Sequence, residues 1–452
     1  MVDIVEIAEK ILKMVQCDQA DVRIMGEKSH LTRFANSQIH QNMYEENYTA
    51  DVRVVIGKKI GTAKANSLDD EHLRKMVETA VKIAKLQKDR NDFVSLPGKI
   101  RELKKPKTFV RATASHTVEE KAEAVKKIFE TAKNYKPAPL AYGAFSTTTN
   151  EICVANTLGV SVYGKQTVAK VGICMIADEN EEKGYGWSEM AHMDVNKIDV
   201  EAVAKTAAEK AVGSLHTKKI EPGEYEVILE PLAVSELLGY LSYAGMGALA
   251  VQEMRSFLCG NIGKKIMDEK VSIWDDGNNT SGIPMPFDFE GVPRQRVDII
   301  ENGVAKGYVY DSYTAGREGK QSTGHALPPG MGAFEVGPLP INLFMKEGTM
   351  KVEDMIANCK KGLLVTKFHY VNIIHPVKTI FTGMTRDGTF YIENGKILHP
   401  VKNLRFTQNV VEAFSSVKGL SKERKIIGGD FGVTVCPYAH LEKFNFTGVT
   451  EF

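Results

Sequence analysis

Residues 217–245 read TKKIEPGEYEVILEPLAVSELLGYLSYAG, and the chain changes character inside them. A polar junction containing Pro222 and Gly223 gives way at Tyr225 to strand-like residues, which run straight into an apolar helical stretch. Upstream the order of elements reads helix, strands, helix, helix, strands, helix. Downstream it is richer in strand. A regular βαβ alternation is missing, so the pattern predicts an α+β fold with antiparallel sheets. One residue of the quoted stretch stands out. Glu236 is a lone carboxylate in an apolar helix, and it either serves chemistry or occupies one solvated position of an amphipathic helix.

Upstream of the junction, residues 1–15 place Ile4, Ile7, Ala8, Ile11, Leu12 and Val15 on one helical stripe with acids and lysines between. That is an amphipathic helix of the folded protein and not the unbroken apolar run of a secretory leader, and Asp3 followed by Glu6 resembles a capping box. Ser67 is expected to open a second helix, and Thr117 with Glu120 gives a capping box for a third. A polar, proline-containing stretch over 87–115 reads as a linker. Downstream, Ile-Glu-Asn-Gly occurs at 300–303 and again at 392–395, each time between alternating apolar residues. Asn-Gly tolerates the positive φ of a tight turn, so both are predicted hairpins. Residues 315–340 are too rich in Gly and Pro for regular structure, and a loop of that length inside a folded domain usually serves function or a partner.

Composition excludes several classes. The 452 residues hold 58 Lys plus Arg against 57 Asp plus Glu, so no net field holds a polyanion, and nucleic acid is not expected as a partner. No run approaches the roughly 20 apolar residues of a membrane span, so no membrane association is expected either. Cys17, Cys153, Cys174, Cys259, Cys359 and Cys436 are scattered without a Cys-x-x-Cys pair, which fits reduced thiols in a cytoplasmic protein.

Familiar chemical motifs are also missing. Gly316 and Gly319-Lys320 have two residues between them where a phosphate loop needs four, and no Gly-x-Gly-x-x-Gly follows a strand. The eleven histidines include no His-Glu-x-x-His pair. No Gly-x-Ser-x-Gly elbow appears. The cluster Ser322-Thr323-Gly324-His325 could polarise a substrate, or it could be a loop that bonds its own backbone.

The stretch FDFEGVPRQRVDIIENGVAKGYVYDSYTAGREGKQSTGHA, residues 287–326, resembles the TldD/PmbA family, whose PmbA branch is also called TldE. LTRFANSQIHQN at 31–42, SFLCGNIGKKIMDEKVSIWDDG at 256–277, YIENGKI and LEKFNFTG are similar to other blocks of that family, in the family's order. The resemblance implies an N-terminal α/β domain with a mixed sheet and helices over 1–110, a middle segment packed with it over 111–220, and a C-terminal domain dominated by antiparallel sheet over 221–452. The family's metal-binding branch carries a His-Glu-x-x-x-His helix after the strand that opens this last domain, and a further ligand in a Cys-Gly sequence near the C-terminus. Here Ser235, Glu236 and Tyr240 stand at the helix positions and Gly428-Gly429 at the Cys-Gly position, with Cys436 later, before Pro437.

Serine, tyrosine and glycine are not usual zinc ligands. The expectation is therefore no metal and no cofactor on this chain, and a Glu236 that is one polar residue of an amphipathic helix. The resemblance implies the zinc-free subunit of a TldD/TldE-type metallopeptidase, paired with a TldD-like zinc-bearing chain and acting on unfolded peptides. Two alternatives stay open. One is a self-sufficient homodimeric peptidase with its chemistry around Ser322 and His325. The other is a non-enzymatic regulatory protein of the gyrase-modulator type.

Overall fold

The computed structural model describes residues 3–100, 102–328, 336–429 and 431–450. Its first sheet has six strands: β1 (Gln19–Ala35), β2 (Gln38–Ile56), β3 (Lys59–Ala65), β4 (Leu140–Asn156), β5 (Ser161–Glu179) and β6 (Glu182–His192). Their order is β3-β2-β1-β4-β5-β6, with every pairing antiparallel. The strands therefore come from both sides of the 87–115 stretch. Residues Phe93 and Leu96 of that stretch are themselves buried.

Helices α1 (Ile4–Met14), α2 (Asp70–Leu86), α3 (Arg111–Ala114), α4 (Val118–Ala132) and α5 (Val200–Gly213) accompany this sheet. Alternation along the strands sends Val22, Ile24, Cys153 and Ala155 toward α1 and α2, and Phe145, Val171 and Ile173 toward α4 and α5. Gly186 lets α5 lie directly on β6, because a Cβ there would sit 2.1 Å from the Ala207 carbonyl oxygen. Thr117 and Glu120 form the expected capping box. Asp3 caps α1 by accepting from the Val5 and Glu6 amides. The second helix starts later than expected: Asp69 is its N-cap, and Ser67 instead donates to the Asp69 carboxylate at 2.6 Å.

The remaining strands are β7 (Gly223–Leu229), β8 (Ile273–Asp275), β9 (Val297–Glu301), β10 (Val304–Ala305), β11 (Asn342–Met345), β12 (Lys361–His375), β13 (Ile380–Glu393), β14 (Lys396–Pro400), β15 (Leu404–Asn409), β16 (Val417–Gly429) and β17 (Gly432–Val449). They form one sheet in which β17 also pairs β7, so β17, β15, β13, β12 and β7 close into a ring. The class is α+β. Mixed pairing lies in this C-terminal sheet, where β12–β7 and β11–β17 are parallel, and not in the N-terminal sheet where it was expected. The physical reason is connectivity. Short turns join most neighbours of the first sheet, whereas β7 reaches β12 only through a long crossover. Both Asn-Gly hairpins form, with positive φ at Asn302, Gly303, Asn394 and Gly395.

Helices α6 (Pro231–Gly245), α7 (Ala248–Gln252), α8 (Ser312–Arg317), α9 (Val352–Asn358) and α10 (Val410–Ala413) belong to this half. Leu237, Leu238 and Leu241 of α6 pack into the ring with Phe368, Phe381, Phe406 and Phe444. The two halves meet through a buried ion network, in which Arg53 pairs with Asp21 at 2.5 Å and with Glu290 at 2.9 Å. Of the glycine-rich 315–340 stretch, the start is helical in α8, and residues 329–335 lie outside the described residues. Among the described residues no helix is long and apolar enough to cross a membrane.

Candidate functional site

Helix α6 begins at Pro231, whose fixed φ and missing N–H suit a first helical turn. The preceding Glu230 is buried and bridges the halves, accepting from Lys210 of α5 at 2.7 Å and from Thr366 at 3.3 Å. Most of α6 is buried: Pro231, Ala233, Val234, Ser235, Leu237, Leu238, Leu241, Ser242, Ala244 and Gly245. This corrects the amphipathic reading, because there is no broad solvated face for Glu236 to occupy. The less buried positions are Leu232, Glu236, Gly239, Tyr240 and Tyr243, a single stripe at helical spacing.

Four of those five residues line a cavity of about 180 Å³ between the two sheets. Its walls also include Trp187 and Glu189 from β6, Lys367 from β12, Ile427, Gly428 and Gly429 from β16, and Gly432, Val433 and Thr434 from β17. The fold thus brings together Ser235, Glu236, Tyr240 and Gly428-Gly429, which lie almost two hundred residues apart in the chain. Ser322 and His325 are not among the lining residues.

The cavity's chemistry follows from its neighbours. Lys170 pairs with Glu189 at 3.2 Å and donates to the Gly428 carbonyl at 3.2 Å, linking β5 to the end of β16. Trp187 donates from Nε1 to Glu189 at 3.2 Å, and the Lys367 amine sits 4.0 Å over the Trp187 ring. Phe431 stacks on Tyr243 at 4.9 Å and meets Tyr240 edge-on at 5.2 Å, giving the cavity an aromatic rim. Sequence reasoning did not find Trp187, Glu189, Lys367 or Phe431. They reach the site only through the packing of one sheet on the other, and no local pattern marks them.

A metal does not fit this donor set. Ser235 spends its hydroxyl on the Leu232 carbonyl at 2.8 Å. Tyr240 packs among Phe381 and Phe431. A Cβ at Gly428 or Gly429 would meet nothing closer than 3.8 Å, so a liganding side chain has room there, yet glycine supplies none. Cys436 lies under the helix, fully buried, with its thiol donating to the Pro231 carbonyl at 3.2 Å, and burial pushes that thiol's pKa up. Among the described lining residues there is neither histidine nor cysteine.

The alternative cluster is built differently. His325 is fully buried, donates from Nε2 to Asp275 at 2.9 Å and has Nδ1 3.0 Å from the Thr323 hydroxyl. Burial holds the imidazole's pKa below its ordinary value despite the attraction of Asp275. Ser322 donates to the Tyr310 carbonyl at 3.1 Å and accepts from the Gly324 amide at 3.1 Å. Both residues hold the 310–326 segment to β8 and to their own backbone.

Comparison with known proteins agrees along the whole chain. Residues 20–84 match PmbA/TldA metallopeptidase domain 1, residues 112–215 its central domain, and residues 222–448 its C-terminal domain. The chain belongs to the PmbA/TldD metallopeptidase family. An uncharacterized protein of Methanocaldococcus jannaschii is 28% identical over 81% of this chain and 83% of its own. A metalloprotease of the same organism is 23% identical over 94% of each. The crystal structure of TldE from Thermococcus kodakarensis superposes with a TM-score of 0.88 at 22% identity, covering 98% of this chain and 99% of that one. This last likeness bears on the fold alone.

Proposed function

We propose that this chain is the subunit of a TldD/TldE-type peptidase assembly that lacks the catalytic zinc, pairing with a TldD-like chain that carries it and acting on unfolded peptides. The observation that supports this most is the cavity beside α6. It contains Glu236, which the resemblance matches to the family's glutamate, while serine, tyrosine and glycine stand where the resemblance puts the ligands of the metal-binding branch. A glutamate acts as a base in such sites on a metal-bound water, and nothing here holds the metal. In this reading the chain contributes a wall of the assembly and a place for an extended peptide. Strand β16 pairs with β17 on one side, residues 348–350 bond its other edge only near Leu420–Lys422, and its end at Gly428-Gly429 presents backbone without side chains beside the cavity. Such an edge accepts another strand through main-chain hydrogen bonds and tolerates varied sequence. The six free thiols favour a cytoplasmic setting.

The test is hydrolysis of an unfolded peptide by the purified chain, alone and mixed with a TldD-like chain. The expected result is no turnover alone and turnover with the partner. Turnover by the chain alone, carried at the α6 cavity or lost in His325→Ala with the fold intact, contradicts the reading.

A further inference from the structure

A second group of potential ligands lies away from the cavity, in the walls of the closed ring. Glu226 sits on β7, His440 on the adjoining β17, and Cys359 closes α9 just before β12. Register fixes their proximity. Gly362 faces Glu226 across β12–β7, and Leu441 faces Val227 across β17–β7. One ligand atom from each residue lies within 4.8 Å of the other two, and among the described residues this is the only such group of three or more His, Cys, Asp or Glu. Cys359 is fully buried and His440 is 1% exposed. A Cβ on Gly362 would come within 2.6 Å of the Cys359 sulfur, so the neighbouring strand is bare where the group is tightest.

Two further features point to a cation. The Glu226 carboxylate already gathers donors, with the Lys418 ammonium at 2.8 Å and the His440 imidazole Nε2 at 2.5 Å. The other ring nitrogen of His440, Nδ1, is buried with no hydrogen-bond partner, so the imidazole is not fully used by the protein. Lys418 is 40% exposed and can turn to water when another cation takes the carboxylate.

We propose that Glu226, Cys359 and His440 form a binding site for one zinc-like divalent cation, separate from the α6 cavity. One sulfur, one nitrogen and one oxygen donor is a set that zinc accepts and that magnesium or calcium does not favour. On binding, the Cys359 thiol loses its proton to solvent, the Glu226–His440 contact opens and Lys418 is released. The ion joins the end of α9 to β7 and β17. Because β7 runs directly into α6, it braces the sheet beneath the cavity and takes no part in peptide chemistry.

The site is tested on the full chain, stripped with chelator and titrated with zinc and separately with cobalt. The expected result is one equivalent of zinc, a rise in the thermal midpoint on binding, and a thiolate-to-cobalt charge-transfer band. Cys359→Ser abolishes the band, His440→Gln weakens binding at least about tenfold, and Glu236→Gln leaves both unchanged. Absence of the band in the unsubstituted chain overturns the proposal whether or not the variants fold. So does a band that persists in Cys359→Ser or disappears in Glu236→Gln. None of these outcomes depends on peptide turnover, so the subunit reading stands or falls separately.

Discussion

The cavity beside α6 and the polar interior around His325 both contain groups that sequence patterns single out, yet the two regions are built oppositely. Around His325 the polar atoms are turned on one another. Asp275 accepts from His325 at 2.9 Å and from the Asn342 amide at 2.7 Å, while Asp288 accepts from the amides of Glu290, Val292 and Ala326 at 2.9, 2.9 and 2.8 Å. Around α6 a half-buried stripe with Glu236 faces open space, against walls from both sheets. Groups packed wholly against one another hold a fold, whereas groups that line a cavity can be reached by a ligand.

The contrast predicts the largest cost at the interior. His325→Ala removes one buried partner of the Asp275 carboxylate and vacates the space of the imidazole, and it is expected to lower stability by about 3–5 kcal/mol. The denaturation midpoint checks this, and a loss under about 1 kcal/mol would place His325 among replaceable groups and break the contrast. On the other side of α6, Leu238 is fully buried in the ring. Leu238→Ala is expected to cost about 2–5 kcal/mol through the space it vacates; a near-neutral result would mean that α6 is not seated as described.

A third test uses pH. Burial, and then the nearby Glu290 charge, push the Asp288 carboxyl up to about 7, and the same two causes push Asp311 up to about 6. A raised carboxyl contributes stability that is present below its unfolded pKa of about 4 and lost as pH rises through the folded value. The unsubstituted chain should therefore lose stability relative to Asp288→Asn between about pH 4 and 7. A constant difference across that window would show that Asp288 is ionised throughout. The smallest effect is expected at Glu236→Gln, within about 0.5 kcal/mol, because the side chain faces the cavity and not the core.

Much of this was legible in the chain itself, for reasons that differ from element to element. The Asn-Gly turns, the Thr117–Glu120 box and the strand-to-helix passage at 223–245 are encoded by residues a few positions apart. The closed ring was not legible, since it depends on β17 meeting both β15 and β7. The surroundings of Glu236 were not legible for the same reason. Its apolar neighbours gave a helix, but only the approach of β6 and β16 decides whether the polar stripe meets water or a cavity. The cluster of Glu226, Cys359 and His440 lies beyond local patterns altogether, with more than two hundred residues between its first and last members.

The most direct test of the account is where a divalent ion binds. Crystals of this chain alone, grown with zinc and measured at the zinc absorption edge, should show no anomalous peak within coordination distance of Ser235, Glu236 or Tyr240. A fully occupied ion at those side chains would contradict the assignment of this polypeptide as the subunit without the catalytic zinc.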